Sequence, residues 1–322
     1  MTTSRRSFLE SGAALAAGLA GAASVADAKG DAQGDAQGTG QAAAPPQPAA
    51  EIQVPKIGFF KTKISRMVLG VNPFYGFAHY NNNFASAMKD WYTEDRVCEV
   101  MHQCNRFGIN AFNYVNLGRA PRDWERFQAE GGQMHLIVQV TAGDDAAVLV
   151  KNLKPLALHR QGEVVDKAYQ SGRMDTVKEW CKKVRDLGVL VGVGTHKPEV
   201  IAQVEEEGWD VDFYAGCVYN RTRTPEEWKK ALNGEMMEMA NDIYLQSDPP
   251  RMYKVMRQTP KPCFAFKILA AGRIPDHGVE QAFRTAFESI KPIDGIYVGM
   301  FPRVRDEVRE NAGIVHRILT RG

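Results

Sequence analysis

The chain has 322 residues, with 40 Lys and Arg against 38 Asp and Glu, a formal net charge of +2. Charge this close to balance, with no basic run, excludes a nucleic-acid face and describes a mixed, solvated surface. Five cysteines, Cys98, Cys104, Cys181, Cys217 and Cys263, include no C-x-x-C pair, so mostly free, buried thiols are expected.

The first element is MTTSRRSFLESGAALAAGLAGAASVADA, residues 1–28, with an arginine pair at Arg5 and Arg6, then Phe8 and Leu9, a weakly apolar run and small residues at Ala26 and Ala28. This order predicts a twin-arginine signal, the export machinery as a partner and a periplasmic or secreted location. A membrane anchor would want about 20 strongly apolar residues, so no stable anchor is expected. Residues 29–50 are a Gly, Ala, Gln and Pro tract without an aromatic residue. Such a tract buries no core and is expected to be a flexible tether.

From residue 51 to 322, short apolar runs alternate with amphipathic helical patterns. The expected strands are residues 65–71 (SRMVLGV), 110–115 (NAFNYV), 135–141 (HLIVQVT), 155–159 (PLALH), 189–195 (VLVGVGT), 211–219 (VDFYAGCVY), 263–270 (CFAFKILA) and 295–301 (GIYVGMF). Each is apolar without strict alternation, as strands covered on both faces are. Helical patterns fall at residues 93–108, capped by Thr93 and stopped by Gly108, and at 174–188, 197–208, 278–290 and 303–319. Eight such units with no G-x-G-x-x-G turn predict one (β/α)8 TIM barrel over residues 51–322 rather than an open sheet. The long connection over residues 221–247 is a candidate lid.

A barrel of this kind carries its chemistry at the C-terminal ends of its strands. His159 and His196 end strands and are candidate acid/base groups. Lys267 lies in an apolar strand, where its charge is costly unless it is paired or faces the mouth, so it is a candidate base or Schiff-base nucleophile. Each has a plainer reading: packed histidines, a helix cap at His196, an ion pair at Lys267. Asn72, Asn113, Asn116, Gln139 and Tyr219 are candidate substrate contacts, and neutral amides suit an uncharged, polyhydroxylated small-molecule substrate. No H-x-x-H spacing marks a metal site.

The residues that carry these positions resemble the aldo-keto reductase superfamily. ISRMVLGVNPFYG (64–76) is similar to that family's first barrel strand, GINAFNYVN (108–116) to its second, PLALHRQG (155–162) to its fourth and LGVLVGVGTHKPEVI (187–201) to its fifth. FAFKILAAGRI (264–274) and IYVGMFPRVRDEVREN (296–311) look like the seventh and eighth. The resemblance implies an NAD(P)-linked oxidoreductase acting on a small carbonyl, with Glu310 and Asn311 near the adenosine part of the cofactor. Of the family's four catalytic groups it carries over one, the histidine, at His159. Asn113 stands at the aspartate position, Gly118 at the tyrosine position and Gln139 at the lysine position. NAD(P) therefore stays open as a cofactor. A cofactor-free or metal-assisted lyase or isomerase built on His159, His196 and Lys267 is the alternative, and a non-catalytic sugar-binding barrel is the third reading.

Overall fold

The computed structural model describes residues 52–234 and 242–320. The expected signal and tether, and residues 235–241 of the long connection, lie outside the described residues. The described chain opens with an antiparallel hairpin, β1 (Lys56–Phe59) and β2 (Thr62–Ser65), which turns at Phe60 with φ +53. Eight further strands follow: β3 (Met67–Gly70), β4 (Ala111–Val115), β5 (His135–Val140), β6 (Ala157–Arg160), β7 (Leu190–Thr195), β8 (Phe213–Cys217), β9 (Cys263–Phe266) and β10 (Gly295–Val298). They pair in parallel and close into a barrel in chain order, β10 against β3. All eight expected strands form, and the fold is a (β/α)8 barrel.

The helices of the described residues are α1 (Asn82–Trp91), α2 (Glu94–Arg106), α3 (Ala120–Ala129), α4 (Ala146–Leu153), α5 (Gly162–Gln170), α6 (Met174–Arg185), α7 (Pro198–Glu206), α8 (Pro225–Leu232), α9 (Asp248–Gln258), α10 (Val279–Ser289) and α11 (Glu307–Thr320). Helix α2 shows why they form where they do. Thr93 accepts a hydrogen bond from the Arg96 amide at 3.3 Å, Glu94 and Asp95 complement the positive helix start, and Arg106 sits in the last turn. Val97, Val100, Met101 and Cys104 then form one buried stripe, and Gly108 at φ +77 ends the run.

Parity of the strands divides the core into two shells. Leu69, Phe112, Tyr114, Leu136, Val138, Leu158, Val191, Val193 and Tyr214 pack outward under the helices. Val68, Ala111, Ile137, Ala157, Phe213 and Phe264 fill the lower barrel interior together with Phe59 and Ile64 of the hairpin. Phe59 meets Phe213 and Phe264 edge to face, with ring centroids 5.6 and 5.4 Å apart. The hairpin therefore plugs the N-terminal end of the barrel, a feature absent from the eight-strand expectation. All five cysteines are buried and free.

The connection over residues 221–247 contains a helix of its own, α8, with Thr224 and Glu227 forming a reciprocal capping box.

Candidate functional site

Above the apolar interior the same parity brings up polar side chains. Asn113 lies two residues past Ala111, Gln139 two past Ile137 and His159 two past Ala157, so β4, β5 and β6, which help fill the lower barrel, each also deliver one polar group inward. Val115 pairs with Gln139, and Gln139 with His159. With Asn72, Lys267 and Tyr297 these side chains line a cavity of about 340 Å³ at the C-terminal mouth. Its walls are largely apolar, including Phe77, Phe84, Phe266 and Phe301.

Asn113 donates from Nδ2 to the Ile137 carbonyl at 3.3 Å and to His159 Nε2 at 3.0 Å. A carbonyl oxygen only accepts, so the amide nitrogen must face it, and His159 Nε2 is left as the acceptor of the second bond. The imidazole proton then sits on Nδ1, which faces the Arg160 carbonyl at 3.3 Å. Burial brings the His159 pKa down to about 4. His159 is thus a neutral ring that holds Asn113, whose Oδ1 remains as an acceptor. Gly194 makes room for this pair: a Cβ there would lie 2.6 Å from the Arg160 carbonyl oxygen and 3.1 Å from His159 Nδ1.

Tyr297 stands between Gly295 and Gly299 on β10 and the turn after it. Its ring stacks on Phe264, with centroids 4.9 Å apart, and its buried hydroxyl has no protein partner. Burial raises the phenol's pKa well above its ordinary value, so it is a donor at every physiological pH.

Lys267 follows the last residue of β9 and turns away with φ +62. Its Nζ is buried and has no hydrogen-bond partner, and burial brings its pKa down to about 8. Over it lies Tyr244, with the ring centroid 5.9 Å from Nζ, and Tyr244 itself stacks on Tyr219 at 4.7 Å. The surrounding charges are already paired. Arg221 bridges Asp242 (2.7 Å) and Glu163, Asp242 Oδ2 also binds His79 Nδ1 at 2.9 Å, and Arg273 holds the carbonyls of His79 and Asp242 at 2.8 and 2.7 Å.

Other expected site residues sit elsewhere. His196 is tied to Asp166, whose buried carboxylate takes His196 Nδ1 at 2.7 Å, Thr195 Oγ1 at 2.5 Å and Thr222 Oγ1 at 2.9 Å. His196 therefore joins β7 to α5 rather than capping α7, whose N-cap is Lys197. Tyr219 serves the stack above Lys267. Asn116 is on the exposed rim, donating to Asp144 at 3.3 Å. At the far end of the cavity Asn311 is a lining residue and Glu310 is not; Arg305 and Glu307 line it instead.

Sequence reading missed Tyr297 and His79. The glycines flanking Tyr297 at the inward parity were the available signal for the first. His79 has none, because its partner Asp242 is 163 residues away.

A (β/α)8 barrel with a largely apolar cavity holding a few polar groups at its C-terminal mouth defines the class of molecule. The chain is similar to a candidate aldo-keto reductase from Pseudomonas aeruginosa, at 15% identity and a TM-score of 0.50 over 80% of this chain and 92% of that one. It is also similar to a truncated 3-deoxy-D-arabino-heptulosonate 7-phosphate synthase from Thermotoga maritima, at 12% identity and a TM-score of 0.48 over 83% and 92%. A probable 2-pyrone-4,6-dicarboxylic acid hydrolase from Acinetobacter baumannii matches at 12% identity and a TM-score of 0.43 over 79% and 91%. No family model matches the chain, and no curated protein matches it. Likeness at this identity shows the barrel and leaves the reaction to the site.

Proposed function

We propose that the protein is an exported barrel enzyme acting on a small, uncharged, polyhydroxylated carbonyl compound. The lining carries this reading: Asn72, Asn113 and Gln139 offer neutral amides, His159 is held neutral, and aromatic side chains supply apolar faces for a sugar-like ring. Hydroxyl groups both donate and accept, and amides answer both.

Nicotinamide-linked reduction, implied by the resemblance to aldo-keto reductases, is less well supported. Asn113 replaces the carboxylate, and His159 Nε2 accepts from Asn113, so it has no proton to give a substrate carbonyl in this arrangement. The far end of the cavity also suits a diphosphate poorly. Arg305 is already shared between Asp276 (3.0 Å) and Glu310 (3.1 Å), and the Glu307 carboxyl lies beside it with its pKa raised by burial. Asn311 alone favours a nucleotide there, and we derive no step through one.

The test is a thermal-shift and calorimetric comparison of trioses, pentoses, hexoses, sugar acids, NADH and NADPH on the purified barrel. Saturable binding of neutral hydroxycarbonyls is expected, weakened about tenfold by Gln139→Ala, the loss of about 1.4 kcal/mol. Binding of the dinucleotides alone would overturn the reading. Turnover of the compounds that bind separates an enzyme from a binding-only barrel.

A further inference from the structure

Of the two cations lining the cavity, Lys267 has no hydrogen-bond or carboxylate partner among the described residues and meets only the Tyr244 ring, 5.9 Å from Nζ. The other lining cation, Arg305, has two carboxylates. The groups around Lys267 come out even without it. Arg221 and Arg273 supply two positive charges, Glu163 and Asp242 two negative ones, and His79 is neutral because burial brings its pKa down to about 4. A protonated Lys267 would be a surplus positive charge in a buried site where no protein group among the described residues hydrogen-bonds an ammonium.

The backbone also places this residue at a cost. A non-glycine residue at φ +62 is disfavoured by about 1 kcal/mol or more, and it persists where the surroundings impose it. That turn carries the chain out of β9 and leaves the lysine lining the mouth, its Nζ beneath Tyr244. Burial brings the amine's pKa down to about 8, so a minority of it is neutral near pH 7.5, whereas an ordinary lysine has almost none in that form.

Resting on the carbonyl reading above, we infer that Lys267 is a Schiff-base lysine, whose neutral ε-amine condenses with the aldehyde or ketone carbon of the bound compound. The nitrogen lone pair forms the new C–N bond, giving a carbinolamine. The former carbonyl oxygen then leaves as water with the two amine hydrogens, and the product is an imine. No oxidant or cofactor enters the balance. Once protonated, the imine draws electrons from the adjacent carbon, which opens bond cleavage or isomerisation next to the carbonyl.

Peptide mapping of the wild-type barrel tests this. The protein is treated at pH 7.5 with glycolaldehyde, glyceraldehyde or dihydroxyacetone and sodium cyanoborohydride, which fixes an imine as a stable secondary amine. Lys267 is expected to be labelled at least tenfold faster than exposed lysines such as Lys254, saturably in the carbonyl compound. Lys267→Arg is expected to keep binding by thermal shift and to lose the label and any turnover. Saturable binding with Lys267 labelled no faster than Lys254 overturns the imine and leaves the carbonyl reading standing. Absence of both binding and labelling overturns the two together.

Discussion

Asn113 and His159 fix each other's orientation, and the pair makes stability depend on pH. His159 and His79 both have pKa values brought down to about 4 in the fold, against about 6.5 in an unfolded chain. Below pH 6.5 the unfolded chain binds protons that the folded chain refuses, so stability is full at neutral pH and falls as pH drops from 6.5 towards 4. For His159 the loss is on the order of 3 kcal/mol across that window. Chemical denaturation at a series of pH values is expected to show this slope, and His159→Gln is expected to remove about half of it. Asp242, held below its ordinary range by His79 and Arg221, adds a further loss below about pH 3.8. At this scale the sequence brings out Asn113, Gln139 and His159 but not Tyr297, and it offers the rim residue Asn116 as a contact. The tautomer of His159 and the isolation of Lys267 are not legible there. They depend on partners 46 residues away or, for Lys267, on the absence of one.

At the scale of elements, the eight strands were readable because each is a continuous apolar run bounded by helical patterns. The hairpin was not, because β1 and β2 are four residues each and Phe59 looks like any surface aromatic until its partners Phe213 and Phe264 are in place. Fully buried between those rings, Phe59 closes the lower core. Phe59→Ala is expected to cost 3–5 kcal/mol, read as a lower denaturation midpoint with an unchanged slope. Glycine at position 194 is as demanding: its Cβ would press on the Arg160 carbonyl and the His159 ring. Gly194 in the V-G-V-G of β7 therefore records how closely β6 and its histidine approach, and Gly192 leaves room for the Phe213 ring, which a sequence shows only as two missing side chains.

For the molecule as a whole, the proposed location rests on Arg5 and Arg6, ahead of the barrel. Replacing both with Lys is expected to leave the full-length precursor in the cytoplasm, where cell fractionation would find it. Processed protein outside the cytoplasm in that variant would refute the twin-arginine route. Among the described residues no helix is long and apolar enough to cross a membrane. The barrel also has one stopped end. With Phe59 and Ile64 filling the lower interior, a compound that reaches Asn113 and Lys267 enters and leaves past the rim of the mouth. Under the proposed function, substrate and product share this doorway. Each occupies the space the other needs, so product accumulation is expected to raise the apparent KM and leave the maximal rate untouched.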